Sequence, residues 1–416
     1  MRAVLYFMSI TAPSVAAEIQ SHETDELTFS INTAAKLSSF MSYASDDPIL
    51  FSDQWSGIAL FRFRLSFDTQ FNDWINSEIA YEHRARVDTG DSGIGASAGI
   101  LPSLVPAPYR ISQLDWEIAE SDTKFSYHHE IDRAVIAFHP QWGEVTFGRQ
   151  AIGLGRGVIF SAVDIFSPFS PIEVDREWRR GVDAARLEYR ISDTTSVELL
   201  GAFGETWDES AFLARARGYI GNMDGELIIG KRAEDMMYAG TMSTTIGDAE
   251  VHLELALFDT PEPLPDEGIF GSDHLVGKAV LGSSYTFDVG SGLTLLGEYH
   301  YSGFGVEDVT ETTTLLVDPA YQERYLRGDT QILGQHALAF QLSYIDDPLG
   351  YSLLFLQSPV DGSGLASPSL TWDVSENITF LLSAFIPWGS SSSNGQLNSE
   401  YGATPASLFM QLNLYY

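Results

Sequence analysis

Hydrophobic and polar residues alternate with a period of two along almost the whole chain, and turn-forming residues interrupt the alternation. In residues 61–67, for example, phenylalanine and leucine alternate with Arg62, Arg64 and Ser66. Residues 251–257 repeat the pattern, with leucines against polar side chains. Successive side chains of a β-strand point to opposite faces. The alternation therefore predicts many strands, each with one apolar face and one polar face.

About eighteen such strands can be placed, and sixteen is the alternative count. Their predicted starts lie near residues 26, 57, 73, 125, 143, 182, 196, 211, 226, 236, 249, 275, 292, 335, 350, 365, 377 and 406. Either count is even, as in most outer-membrane barrels.

The connections between these strands fall into two length classes that alternate along the chain. If the amino terminus is periplasmic, the periplasmic connections are the short ones, at residues 68–72, 139–142, 192–195, 221–225, 247–248, 289–292, 346–350 and 376–377. The opposite set contains all the long ones, at residues 35–56, 88–124, 153–181, 259–274, 304–334 and 389–405. Short periplasmic turns and long extracellular loops are the rule for outer-membrane barrels, whereas a soluble sandwich has no reason to follow it. The sequence therefore predicts an all-β fold, a transmembrane antiparallel β-barrel.

Residues 1–17 have the layout of a secretory signal peptide. Arg2 supplies the positive charge, Ala3 to Ile10 form the apolar segment, and Val15-Ala16-Ala17 is a small-residue cleavage site. An ordinary first strand or helix is the alternative interpretation. We expect residues 18–416 to form a single outer-membrane barrel domain.

The carboxy-terminal residues form a second export-related pattern. An unbroken apolar face ends in an aromatic terminal residue and consists of Leu408, Met410, Leu412, Leu414 and Tyr416. This segment resembles the signal by which outer-membrane barrels are handed to the barrel-assembly machinery. The resemblance implies that this machinery and outer-membrane lipids are partners of the chain.

Composition excludes several other classes of protein. The 416 residues carry 23 Lys+Arg against 57 Asp+Glu, a net charge of -34, so nucleic acid is not an expected partner. No stretch approaches the roughly 20 apolar residues of a spanning helix, so membrane insertion requires a barrel. There is no cysteine, and no serine lies in a Gly-x-Ser-x-Gly context. We expect no enzyme activity, no cofactor and no metal site.

Arginines cluster in the first half of the predicted barrel, mostly on the polar faces. The predicted pore-lining residues are Arg62, Arg64, Arg84, Arg86, Arg133, Arg186, Arg190, Arg215 and Arg217. No Lys or Arg follows Arg327. A closed barrel would then have a basic arc of wall that favours anions. In the alternative interpretation, these arginines pair with Glu78, Glu82 and Glu188 and only neutralise the wall.

The third long connection carries the densest pattern of charge and glycine. It follows Gly148-Arg149-Gln150 and includes Gly155-Arg156-Gly157 and the run 175–184. A Gly-Arg-Gln strand end followed by a glycine-rich loop resembles porin-like and alginate-export-like barrels. In porins, general or substrate-specific, the third loop narrows the pore. The resemblance implies a constriction role for Arg149, Arg156, Asp164, Asp175, Glu177, Arg179 and Arg180.

Two functions fit these patterns. The first is an outer-membrane porin for passive diffusion of small hydrophilic solutes, with a bias toward anions and with a homotrimer among the assemblies allowed. The second is a sheath that holds a separate multihaem cytochrome, as in outer-membrane electron conduits. An inward-folded third loop would obstruct a threaded cytochrome, so the lumen discriminates between the two.

The terminal aromatic residue yields a prediction about assembly. Deleting Tyr416, or replacing it with Asp, should lower the amount of folded protein in the outer membrane, because it removes the end of the apolar face. Heat-modifiable migration on gels measures the folded fraction. An unchanged fraction would contradict the assembly-signal interpretation.

Overall fold

The computed structural model describes residues 18–23, 27–89, 99–102, 107–121, 124–261, 268–272 and 274–416. The predicted signal peptide, residues 1–17, lies outside the described residues. The strands are β1 (Glu18–Glu23), β2 (Leu27–Tyr43), β3 (Trp55–Phe71), β4 (Ile75–Asp88), β5 (Asp115–Ser121), β6 (Phe125–Phe138), β7 (Gly143–Gln150), β8 (Val182–Ser192), β9 (Thr195–Ala202), β10 (Ala211–Ile220), β11 (Met223–Arg232), β12 (Asp235–Ile246), β13 (Ala249–Asp259), β14 (Leu275–Phe287), β15 (Leu293–Ser302), β16 (His336–Asp346), β17 (Leu349–Gln357), β18 (Gly364–Ser375), β19 (Ile378–Trp388) and β20 (Ala406–Tyr415).

Eighteen of these strands close into one antiparallel barrel. Each strand pairs with the next along the chain, except that β4 pairs with β6, and β2 closes the sheet by pairing with both β3 and β20. The predicted count of eighteen is confirmed. The predicted starts also agree, and the largest difference is residue 226 against Met223. The strands β1 and β5 are short additions that pair with β2 and β6 respectively.

Two short helices lie in the long connection between β15 and β16. They are α1 (Thr312–Leu315) and α2 (Pro319–Arg327), and single 3-10 turns occur at Ile269–Gly271 and Val309–Glu311. Asp318 caps the amino terminus of α2 by accepting a hydrogen bond from the Ala320 amide, as short polar side chains do at helix starts. None of the helices in the described ranges is both long and apolar enough to cross a membrane.

The alternation of short and long connections is confirmed, but the first long one was placed wrongly. Residues 35–56 were predicted as a loop, whereas β2 continues to Tyr43 and only residues 44–54 connect it to β3. The serines of this segment look like loop residues in the sequence. In the barrel, Ser38 and Ser42 are buried on the lumen face, while Leu37 and Met41 are exposed on the other. Small polar residues are therefore ordinary strand residues here.

The apolar faces point outward and the polar faces point into the lumen, as the alternation predicted. In β19, Ser383 is 1% exposed and lies within 2.8 Å of the Ser369 hydroxyl, and the adjacent Leu382 has the opposite orientation. In β11, Leu227 is 71% exposed although it is apolar. Outward-facing aromatic side chains near strand ends, such as Trp372 and Trp388, fit the interfacial positions of a membrane barrel.

The outward face predicts a depth-dependent cost for inserting charge. Leu227→Arg in mid-strand should lower the free energy of unfolding by about 2–4 kcal/mol, and Ile246→Arg at the periplasmic end of β12 by about 0–1 kcal/mol. Unfolding by urea in lipid vesicles gives both values. Leu227→Ala separates the effect of charge from lost side-chain volume. Equal losses for the two arginine variants would contradict this placement of the membrane.

Candidate functional site

The third outer loop, residues 151–181, is bound to the inner wall of the barrel by a carboxylate of β13. Glu254 is fully buried and accepts hydrogen bonds from the backbone N–H groups of Arg156, Gly157 (2.7 Å) and Ala162 (2.7 Å). The Ser161 hydroxyl donates a further bond of 3.0 Å. Backbone N–H groups that converge on a carboxylate offset the cost of burying its charge. Glu254 therefore fixes this part of the loop.

A second wall carboxylate binds the intervening residues of the same loop. Glu298 of β15 accepts hydrogen bonds from the backbone N–H groups of Val158 (2.6 Å), Ile159 (3.0 Å) and Phe160 (2.9 Å). The Nε2 atom of His252 lies 2.9 Å from the Oε1 atom of the Glu298 carboxylate. Together, Glu254 and Glu298 satisfy consecutive amides that would otherwise be buried without partners. The loop consequently folds inward as one ordered segment over β13 and β15.

Apolar side chains of this loop form a core inside the barrel. Phe160, Val163 and Phe166 are at most 1% exposed and pack in one cluster with apolar residues of the wall and of other loops. Phe304, at the start of the connection that carries α2, belongs to the same cluster. The part of the lumen next to β13–β15 is thus filled by protein.

The end of the loop contacts the opposite wall through charged groups. The Asp175 carboxylate lies 2.6 Å from the Lys36 ammonium of β2 and 2.9 Å from the Arg62 guanidinium of β3. Glu177 lies 2.7 Å from the same ammonium. The ring of Trp178 lies 3.9 Å from the Lys36 nitrogen and 4.8 Å from the Arg62 guanidinium carbon, both within cation–π range. We call Lys36, Arg62, Asp175, Glu177 and Trp178 the junction cluster.

Most of the arginines predicted to line the pore form ion pairs with acidic residues. The pairs are Arg62 with Glu82, Arg64 with Asp132 and Glu78, Arg84 with Glu130, Arg86 with Asp88, Arg133 with Asp132, Arg186 with Glu198, Arg215 with Glu198 and Glu226, and Arg217 with Glu188. Arg190 lies exposed near the periplasmic end of β8. The wall is therefore a network of paired charges, as in the alternative interpretation, rather than an uncompensated basic arc.

The residues predicted for the constriction do not form one site, because they belong to separate ion pairs. Arg156 pairs with Asp224 (2.6 Å) and Glu226 (3.1 Å), and Arg179 pairs with Asp164 inside the loop. Of the predicted set, the structure brings together Asp175 and Glu177 in the junction cluster, and Arg180 lines a neighbouring cavity.

Arg149 has a different position, in the barrel wall. The strand β7 ends at Gln150 and pairs with β6 only over residues 134–138, which leaves a gap above it. Residues 107–114 fill this gap, and Arg149 donates hydrogen bonds to their carbonyl groups at Ser112 and Gln113 (2.8 Å). It also pairs with Asp183 of β8 at 2.8 Å. Arg149 is 2% exposed and joins segments that no strand connects.

Several residues of the site could not be identified from local sequence. Lys36 lies in a serine-rich segment that was predicted as loop, and Trp178 lies in a charged run without a motif of its own. Glu254 and Glu298 fall on the polar side of the alternation, but their role depends on amides 98 and 140 residues away. The only clue in the sequence was an acidic residue on the lumen-facing side of a predicted strand.

Two cavities lie on opposite sides of a charged layer in the lumen, and only the outer one touches the junction cluster. The larger, of about 660 Å³, lies among the outer loops and includes Arg62 and Trp178 in its lining. The smaller, of about 320 Å³, lies at the periplasmic end and includes Glu78. Arg64 connects the two regions, because it pairs with Asp132 at 2.8 Å and lies 3.7 Å from Glu78. The charged side chains of β3, β4 and β6 thus form the layer between an outer and a periplasmic cavity.

Comparison with known proteins identifies the fold. No protein-family model matches the sequence, and the comparison with curated proteins found no match. Among solved structures, Acinetobacter baumannii OccAB1 aligns with a TM-score of 0.56 over 93% of this chain and 96% of its own, at 8% identity. Pseudomonas aeruginosa OccK9 (OpdG) aligns with a TM-score of 0.54 over 93% and 98%, at 10% identity. The chain has the porin fold. This fold, with its outward apolar band, is that of an outer-membrane protein.

A third porin-fold structure is Pseudomonas aeruginosa OpdK with vanillate, with a TM-score of 0.52 over 94% of this chain and 98% of its own, at 9% identity. The three structures are outer-membrane channels. At such identities the likeness extends to the fold, and the residues of the lumen have to be interpreted from this chain alone.

The wall position of Arg149 predicts a specific loss of stability. Arg149→Gln should lower the free energy of unfolding by about 3–5 kcal/mol, because it leaves the mostly buried Asp183 carboxylate without its cation. Urea unfolding measures the loss, and Arg190→Gln is the matched control, expected within about 0.5 kcal/mol of wild type. A loss as small as that of the control would contradict the role of Arg149 in joining the wall.

Proposed function

We propose that the protein is a porin for passive diffusion of small hydrophilic solutes, with a bias toward anions, through a lumen narrowed by residues 151–181. The observation that carries the proposal is the pair of cavities of about 660 Å³ and 320 Å³ on either side of the charged layer formed by β3, β4 and β6. A solute that crosses the barrel has to pass the charged side chains between them, because the part of the lumen next to β13–β15 is filled by the third loop.

The charge of the outer cavity supports an anionic bias. Five arginines line it, together with three carboxylates of the barrel strands and two of the loops: Arg62, Arg84, Arg86, Arg180, Arg327, Glu82, Glu130, Asp132, Glu173 and Glu400. Burial raises the pKa of Glu173 to about 7 and that of Glu400 to about 7. At neutral pH these two carboxyl groups are therefore partly protonated, and the lining carries an excess of positive charge.

The filled lumen argues against the cytochrome sheath. Third-loop residues such as Phe160 and Val163 are buried in the space that a threaded protein would occupy. Glu254 and Glu298 hold them there through hydrogen bonds to the backbone. A sheath would require this entire segment to leave the barrel.

The remaining parts of the proposal concern processing, partners and chemistry. Residues 1–17 would be removed as a signal peptide, and residues 18–416 would form the mature barrel. Outer-membrane lipids and the barrel-assembly machinery would be its partners, and a homotrimer stays a prediction. Catalysis is not part of the proposed function. Within the described ranges, no group of three or more His, Cys, Asp or Glu side chains is arranged to hold a metal ion.

Planar-bilayer recordings of the purified protein test this function. We expect single-channel conductance and, in a potassium chloride gradient, a reversal potential that indicates chloride preference at pH 6. The preference should decrease by pH 8, because a carboxyl group with a pKa of about 7 changes from mostly neutral to mostly charged over that window.

The double variant Glu173→Gln and Glu400→Gln is the control, and its reversal potential should be independent of pH between 6 and 8. Absence of conductance in the wild-type protein would contradict the porin function. A conducting channel with cation preference at pH 6 would contradict only the anionic bias.

A further inference from the structure

We infer that the Asp175 carboxylate occupies an anion-binding subsite formed by Lys36 and Arg62, and that a permeating anion exchanges with this carboxylate in order to pass. The inference rests on the proposed channel function and adds a binding step to it. Asp175 is thus an internal ligand that competes with the solute.

The geometry of the subsite is that of a bound carboxylate. One oxygen of Asp175 lies 2.6 Å from the Lys36 nitrogen, and the other lies 2.9 Å from the Arg62 guanidinium. Lys36 is fully buried and Arg62 is 6% exposed, so water contributes little to the solvation of either cation. Two cations that contact separate oxygens of one carboxylate recognise it by charge and by shape. The same arrangement suits the carboxylate of a small organic acid.

The two cations come from the barrel, whereas the carboxylate comes from the loop. Lys36 and Arg62 are on paired positions of β2 and β3, where strand hydrogen bonds fix their backbones. Asp175 belongs to the irregular segment that follows the wall-bound residues 156–162. Because Lys36 and Arg62 are fixed by the sheet, we expect Asp175 to be the group that moves when the contact opens.

The electrostatics of Asp175 support its role as a charged ligand. Burial alone would raise the pKa of its carboxyl group, but Lys36 and Arg62 outweigh burial and hold the pKa below its usual range. The group is therefore ionised at neutral pH. Glu177 also contacts Lys36, at 2.7 Å, and Glu82 contacts Arg62, at 2.8 Å, so each cation keeps one acidic partner when Asp175 leaves.

The subsite is adjacent to the route of a solute. Arg62 and Trp178 belong to the junction cluster and also line the outer cavity. A solute that enters this cavity can contact Arg62 while Asp175 is still bound to Lys36 and Arg62. Exchange of one carboxylate for another preserves the net charge of the buried layer and restores the second anionic contact of both Lys36 and Arg62.

Neutralising the internal ligand tests the inference. For Asp175→Asn, the permeability ratio of chloride to potassium should rise about fivefold, the effect of one unit charge at about 4 Å from a permeating ion that keeps its hydration. The ratio of acetate to potassium should rise as well, because acetate carries the carboxylate that the subsite binds. Adding Lys36→Met to Asp175→Asn should return both ratios toward wild type. Reversal potentials in planar bilayers give these ratios.

Asp308→Asn is the matched control, because Asp308 is an exposed outer-loop carboxylate whose bond is to the Thr310 amide rather than to a cation. It should leave the ratios unchanged. Asp175→Ser leaves more space for an ion and serves as a second test if Asp175→Asn does not assemble.

The outcomes separate the inference from the function on which it rests. If the wild-type protein conducts and both Asp175 variants have wild-type ratios, the inference is wrong. A larger conductance for both ions at an unchanged ratio also overturns it, because the carboxylate would then only hold the loop in place. If the wild-type protein does not conduct, the channel function itself fails.

Discussion

The interior of this barrel depends on two carboxylates of its wall. Glu254 and Glu298 accept hydrogen bonds from six backbone N–H groups between Arg156 and Ala162. A buried loop needs acceptors for its amides, and a buried carboxylate needs donors. The hydrogen bonds between them therefore offset the desolvation cost of both groups. The position of the apolar core, of the junction cluster and of the outer cavity follows from where these two carboxylates hold the loop.

A second constraint is the pairing of charge inside a closed wall. Buried arginines are stable only when carboxylates lie beside them, and single ion pairs of this kind contribute little net stability because desolvation is costly. The network around Arg62, Arg64, Glu82 and Asp132 is therefore better understood as a functional arrangement than as a source of stability. Its nearly balanced charges allow small changes, such as the protonation of Glu173 or Glu400, to alter the preference for one ion over another.

The sequence contained the barrel but not the arrangement of its interior. Strand number, direction and faces could be predicted because side-chain alternation and connection length are local properties, and the lipid environment requires a closed sheet. Lys36 was missed because a lumen-facing serine-rich strand resembles a loop. Arg149 was assigned to the constriction because its motif borders the third loop, whereas it completes the wall above a strand that ends early. Pairings such as Lys36 with Asp175 depend on barrel closure, which no local pattern encodes.

The closure of the sheet between its first and last strands also determines the order of folding. Ser38 bonds to Gln411 across a separation of 373 residues, and the third loop takes its hydrogen bonds from strands synthesised about a hundred residues later. Contacts of such high sequence separation form late, because the chain entropy of a long loop has to be lost before they contribute. The interior is therefore acquired at the end of folding. Until then, residues 156–162 of the third loop lack their partners on β13 and β15, and a partly inserted chain has neither a sealed outer surface nor an ion pathway.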